Sequence, residues 1–308
     1  MSTVNHDWSL LPDPALCGWI GELAEPEFAR LADRFVPFRF VGSKMEKPGP
    51  PIWEFAKRVN GGQHLPRQIQ AVGDCVSFGV AQAGKYLACF QRAILGRQEE
   101  YHEWFPPYIY GISRCAPECG NGRLGGGDGS LGSWGAIAVQ KYGVLFSDDQ
   151  GVPAYSGSIA RQWGRSPGPP ADMKALARDN PVKSAARVTT VDEVRDALMN
   201  YCPCTFACAW SYSNEAKVEK DRAALVDTGR VVGGHQVCLL DWRDDPFPAA
   251  YLLNSWPIEY KQFWGEPPGG AWLRAEDLQR KLRGETEVYA LSMFEGFRGA
   301  RDWNLIGG

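Results

Sequence analysis

Apolar residues recur at helical spacing from Cys75 onward, at Val80, Ala83, Leu87, Phe90 and Ile94, with Gln82, Lys85 and Arg92 between them. The stripe predicts a helix of about twenty residues that starts at or just before Cys75 and stops at Gly96. A double proline opens the segment from Phe105 to Arg114, which predicts a second, short helix. A glycine-dense loop from Gly120 to Gly132 leads to a third, from Ser133 to Tyr142, closed by Gly143 in the C′ position. Before Cys75 only Glu25 to Phe35 is periodic, and Pro48-Gly-Pro-Pro51 and Gly61-Gly62 mark an irregular approach.

The stretch from Ser147 to Pro170 reads as loop, rich in proline and glycine. Beyond it, Thr190-Val-Asp-Glu193 is a capping box that opens a helix to Asn200. The rest reads as strands: Thr205 to Ser211, Gln236 to Trp242, Ala250 to Asn254, Gly270 to Arg274 and Glu287 to Met293. The expected class is α+β, with helices first and strands second. It divides into an N-terminal extension (1–62), a helical lobe (63–170) and a β-rich lobe (171–308).

Composition narrows the function classes. With 308 residues, 44% of them hydrophobic, the chain can bury a substantial core. The 33 basic and 36 acidic side chains give a net charge of -3 with no long run of either sign, which argues against a nucleic-acid or polybasic membrane partner. Neither a secretory leader nor a run of 18 apolar residues is visible, so a soluble, unexported protein is expected. The nine cysteines then read as reduced. Cys115-x3-Cys119 and Cys202-x-Cys204-x3-Cys208 lack a matching second half, and the latter lies in an apolar run, so core packing is expected over a metal site.

The candidate chemistry is a thiol, an imidazole and an amide in that order. Cys75, in Gln70-Ala-Val-Gly-Asp-Cys-Val-Ser-Phe78, stands at a helix start, where the dipole and free N–H groups favour the thiolate. Among four histidines, His235 alone follows two glycines, which leave room for a substrate beside Gly234, and leads an apolar strand; His6, His64 and His102 lie in irregular contexts. A Gly-Gly-His also suits a strand-end histidine bonded to nearby backbone. Asn254 begins Asn254-Ser-Trp256 on the next apolar segment, where its amide oxygen could orient the imidazole and Trp256 could shield the bond. Gln70 could aim an N–H at a developing oxyanion, although alone it reads as a surface glutamine.

Together, Gln70 to Phe78, Gly-Gly-His235, Asn254-Ser-Trp256, Trp264-Gly265 and Gly270-Ala-Trp-Leu273 resemble the papain-like cysteine peptidases over roughly residues 65 to 295. Phe105 to Tyr110 looks like that family's second-helix segment, and Gly129-Ser130 like its glycine-bearing substrate strip. The resemblance implies a papain-like fold with an active-site cleft between the lobes. It further implies Cys75 as nucleophile, His235 as acid and base, Asn254 as orienter, Gln70 as oxyanion donor, no cofactor or metal, and a protein or peptide substrate.

The chain departs from the family pattern in three places. The Gln70-to-Cys75 loop is one residue short, which leaves Gln68 as a substitute; Val76 stands where tryptophan is usual; and a long inhibitory propeptide is absent. The form is similar to divergent bacterial and bacteriophage members, implying a cytoplasmic or virion-associated setting. Two alternatives stay open: another cysteine-dependent acyl transferase or amidase, and a structural protein in a larger assembly that uses exposed aromatics and has an idle site.

Overall fold

The structure, a computed structural model, describes residues 11–35, 37–38, 49–95 and 101–294. Helices α1 (Ala24–Leu31) and α2 (Ile52–Val59) precede α3 (Cys75–Leu95), which begins at the expected residue. Gly96 and His6 lie outside the described residues. After α3 come α4 (Pro106–Cys115) and α5 (Gly132–Lys141), the latter closed by Gly143 at φ 76°. Two short helices, α6 (Gly157–Trp163) and α7 (Ala171–Ala177), lead into the strands.

The strand-rich half runs β1 (Val182–Arg187), α8 (Val191–Met199), β2 (Cys204–Trp210), β3 (Tyr212–Glu219), β4 (Arg222–Asp227), β5 (Gly233–Arg243), β6 (Ala249–Leu253), β7 (Gly270–Arg274), α9 (Ala275–Leu282) and β8 (Thr286–Phe294). All eight strands join one sheet in the order β1-β8-β2-β5-β6-β7-β4-β3. Every pairing is antiparallel except a short parallel contact between β4 and β7. The sheet separates two cores, because successive side chains on a strand point to opposite faces. On β5, Cys238 and Leu240 pack with α3, α4 and α5, while Val237 and Leu239 pack in the core that includes Val194, Leu198 and Leu278 of α8 and α9.

This is the expected α+β class, and the five anticipated strands are present within one residue of their anticipated ends, except that β5 begins three residues earlier, at Gly233. The Thr190–Glu193 capping box forms in both directions. Three strands went unanticipated. Of these, β3 and β4 form an edge hairpin turned by Lys220 and Asp221 at φ 47° and 58°, with much of β3 facing solvent, so its polar sequence hides a strand. The segment from Ser147 to Pro170 is not all loop: Ser156 accepts the Ile159 N–H at 3.2 Å and caps α6, a helix too short to show periodicity.

Described residues of the N-terminal segment pack onto the rest of the molecule. Trp19, Leu31 and Phe35 are buried in the main core, and the Phe38 N–H donates to Arg187 O at 2.7 Å, continuing the β1 edge. Nor are the aromatics mainly exposed. Trp53, Trp104, Trp134, Trp210, Trp242 and Trp256 are fully buried, and among the described residues Trp264 is the large exposed aromatic. Among the described residues no helix is long and apolar enough to cross a membrane.

Buried Arg114 organises the glycine loop before α5. Its guanidinium donates to Gly164 O at 2.7 Å, Gly125 O at 3.0 Å, and to Gly127 O and Gly129 O. One rigid fork thus satisfies three carbonyls of that loop and the Gly164 carbonyl at the end of α6. Arg114→Ala is expected to lower unfolding stability by about 3 kcal/mol or more, because the carbonyls are left unpaired. Denaturant unfolding measures this; a loss below about 1 kcal/mol would show that the loop re-satisfies itself.

Candidate active site

Helix α3 brings Cys75 to the sheet because Gly79 lets β5 approach closely. A Cβ on Gly79 would lie 3.1 Å from the Gln236 side chain and 3.2 Å from Val237 O. Gln236 uses that closeness, donating from Nε2 to Val76 O at 3.0 Å. His235, the residue before it, is therefore held at the Cys75 end of α3. His235 and Cys75 are both fully buried.

The imidazole is fixed from two sides. Nε2 lies 3.0 Å from Asn254 Oδ1, at the end of neighbouring strand β6. Because Asn254 Oδ1 already accepts the Trp256 backbone N–H at 3.2 Å, it faces the ring as an acceptor, and the neutral ring carries its proton on Nε2. Nδ1 keeps its lone pair and has no hydrogen-bond partner among the described residues. Trp256 stacks on the ring at 3.8 Å and 22°, with Trp210 edge-on at 4.9 Å. The rival histidines are engaged elsewhere: His102 Nδ1 meets Asp148 Oδ2 at 2.6 Å, and His64 neighbours Gly265 and Lys57.

Gln70 is buried, not a surface glutamine. Its Oε1 accepts from Ser255 Oγ at 2.5 Å, and its Nε2 donates to Val72 O at 2.7 Å and to Leu16 O at 2.8 Å. Both amide hydrogens are thus occupied, one of them by the N-terminal segment. Gln68 turns away, donating to Trp104 O at 2.9 Å.

That N-terminal segment lies across the site as a strap. The Gly18 and Trp19 N–H groups both donate to Gly234 O at 3.0 Å. On the opposite wall the Ser130 N–H donates to Gly18 O at 2.7 Å, and the Ile20 N–H to Ser130 O at 3.1 Å. Gly234 has to be glycine here, since a Cβ would fall 1.9 Å from Trp19 O. Gly129, at φ 107°, donates its N–H to Tyr110 Oη at 2.9 Å and aligns the Ser130 wall. Gly129, Ser130 and Gly234, expected to meet substrate, meet residues 18–20 instead.

Burial sets the electrostatics. It pushes the Cys75 thiol up to about 12, a rise that Cys17 adds to and that the backbone N–H groups of Gln236 and Gly18 oppose. Burial likewise drives His235 down to about 3, against the support of Asn254. Near neutral pH both groups are uncharged under the strap. Asp74, next to Cys75, is raised by burial to about 8 and stays protonated as well, hydrogen-bonded to Tyr155 Oη at 3.2 Å.

No protein-family model and no curated protein matches the sequence. Solved structures do. Xylellain, a cysteine protease from Xylella fastidiosa, matches with a TM-score of 0.60 at 17% identity, over 92% of this chain and 98% of that one. Procathepsin B S9 from Trypanosoma congolense gives 0.56 at 14%, over 91% and 87%. The cysteine protease and lectin-like domains of Cwp84, a surface layer associated protein of Clostridium difficile, give 0.52 at 15%, over 91% and 60%. The fold is that of the papain-like cysteine proteases.

In this papain-like fold His235 meets Asn254, and the Gln236 backbone N–H on the same strand reaches Cys75. Leu16, Trp19, Asp74 and Arg114 were not anticipated as parts of the site. Only Asp74 left a signal, as the residue preceding the cysteine; the others reach it through long-range contacts. Among the described residues no group of three or more His, Cys, Asp or Glu is placed to hold a metal ion. All nine cysteines are free thiols, and Cys202, Cys204 and Cys208 are core residues.

The strap's closure should respond to acid. His235, lowered from 6.5 to about 3, favours closure while neutral, and that contribution is lost as pH falls below about 6.5 toward 3. Glu27, which burial raises but hydrogen bonds from Arg30, Arg123 and Trp134 hold at about 2, loses its contribution in the same direction. Asp74, raised by burial from 3.8 to about 8, acts in the opposite direction, because the closed form holds its proton more tightly and gains from it as pH falls below about 8. In Asp74→Asn protein, which lacks that opposition, hydrogen exchange at the Gly18 and Ile20 amides, corrected for intrinsic rate, is expected to quicken from about pH 7 to about pH 4. Unchanged protection would show that closure is not coupled to His235.

Proposed function

We propose that the chain is a papain-like cysteine peptidase whose cleft the strap keeps closed. The observation that carries this reading is the constellation itself: a thiol at the start of α3, and an imidazole with a free Nδ1 lone pair held by Asn254 under Trp256. With the strap displaced, water reaches the site and the burial that holds both groups neutral is relieved. The thiol proton then passes to His235 Nδ1, and the thiolate attacks a peptide carbonyl. The imidazolium protonates the leaving amine, and a water activated by the same ring hydrolyses the thioester.

In this reading the oxyanion faces the Cys75 backbone N–H and the Gln70 Nε2–H freed from Leu16 O. The substrate is a protein or peptide that enters as an extended chain between Ser130 and Gly234. The burial of Cys75 favours one competing reading, a silent site in a structural protein. Reactivity separates the two.

A peptidyl epoxide is expected to label one cysteine, Cys75, in the folded reduced protein, with the adduct lost in Cys75→Ala and slowed in His235→Ala. Trp19→Ala, which removes the strap's buried anchor, is expected to speed labelling about tenfold or more by populating the open form. Mass spectrometry of the adduct reads both. No adduct on Cys75 in either the parent or the Trp19→Ala protein would sink the peptidase reading in favour of the silent site.

A further inference from the structure

We infer that Tyr155 is a positioning residue for the oxyanion side of the site: it brackets the short loop between Gln70 and Cys75 and so sets where the Gln70 amide and the Cys75 backbone N–H point. The inference rests on the peptidase reading. The Tyr155 phenol accepts the Ala71 N–H at 2.7 Å, at the start of the loop, and donates to the Asp74 carboxyl at 3.2 Å, at its end. Its ring meets Phe78 edge-on, at 5.2 Å and 82°, in the first turn of the helix that Cys75 starts. One side chain thus touches both ends of the loop and the helix behind it.

These contacts converge on Val72. Its carbonyl accepts the Gln70 Nε2–H at 2.7 Å and the Asp74 N–H at 2.8 Å. Its side chain is buried in a small cluster with Tyr110 and Ala160, against which the Tyr155 ring packs. Gly157 admits it, since a Cβ there would lie 2.7 Å from Val72 Cγ1. When the strap leaves, Gln70 loses Leu16 O but keeps Val72 O and the Ser255 hydroxyl. The direction of its released N–H is therefore set by where Val72 O lies, and Tyr155 fixes that from both sides.

A buried acid that needs a partner explains the bond between Tyr155 and Asp74, but not why the same phenol takes the Ala71 N–H. The loop is one residue shorter than the papain-like pattern and has no regular structure, so its backbone N–H groups need partners from elsewhere. The Gln70 N–H donates to Ser255 O at 2.9 Å, and the Ala71 N–H finds the phenol. A phenol suits the place because its oxygen accepts and donates at once, and burial, with Asp74 beside it, holds its proton on. Phenylalanine would keep the ring contact with Phe78 and lose both bonds. A misaimed oxyanion donor slows the chemical step without weakening the binding of the rest of the substrate.

The test compares full-length Trp19→Ala protein with the Trp19→Ala, Tyr155→Phe protein, with unfolding midpoints measured so that rates refer to folded chains. On a fluorogenic peptide the second protein is expected to lose about tenfold or more in kcat, with KM within about twofold. Acylation of Cys75 by a peptide p-nitrophenyl ester, which passes through an oxyanion, is expected to slow by a similar factor. Iodoacetamide alkylates the same thiol without forming an oxyanion, and its rate is expected to stay within about twofold. Unchanged acylation, or equal slowing of acylation and alkylation, overturns the inference and leaves Tyr155 a partner for a buried acid. If Trp19→Ala protein cleaves no peptide, the peptidase reading fails separately and the ester decides. Selective slowing of acylation then supports the inference, and an ester that acylates both proteins equally, or neither, overturns it.

Discussion

The close approach of β5 to the first turns of α3 is the constraint on which the site depends. Gly79 removes the side chain that would hold the strand off, and Gln236 fastens the contact by donating to Val76 O. With that contact made, the strand that carries His235 lies against the first turn of the helix that Cys75 starts, although 160 residues separate the bonded pair. Asn254 and Trp256 then follow from ordinary antiparallel pairing, since β6 returns beside β5 and ends next to the imidazole.

The strap reverses the expected electrostatics of a nucleophile at a helix start. The helix dipole and nearby N–H groups favour a thiolate, but desolvation of Cys75 is the larger effect, and the imidazole that could accept its proton is equally dry. The thiol and the imidazole are thus both buried and uncharged near neutral pH. Leu16 O occupies the Gln70 amide, Gly18 and Ile20 occupy Ser130, and Trp19 donates to Glu287. The two walls pair with the backbone of residues 18–20 through Ser130 and Gly234.

Much of this was legible in the chain where the signal was local. The stripe from Cys75 gave the helix start, Thr190 and Glu193 gave a cap, and the alternation around His235 and Asn254 gave two adjacent strands. The signal failed where a few residues had to stand for a long-range effect. The β3–β4 hairpin carries charges because it lies at a sheet edge in water, and α6 is too short to be periodic. Gln70 looked like any polar surface residue, and residues 16–20 looked irregular, since a short stretch held by long-range backbone pairing shows no periodicity of its own.

The sequence by itself determined the order of the chemistry: a thiol at a helix start, an imidazole after two glycines, and an amide on the next strand. Motifs of that kind are set by backbone requirements within a few residues, so they can be read from a few residues. Only the tertiary structure decided that the site is closed, that Gln70 is engaged, that Asp74 and His235 are uncharged near neutral pH, and that Trp19 meets Glu287. Burial and protonation are properties of everything packed around a group. The groups packed around Cys75 come from residues 16–20, 70–74, 130 and 234–236, which only the folded chain brings together.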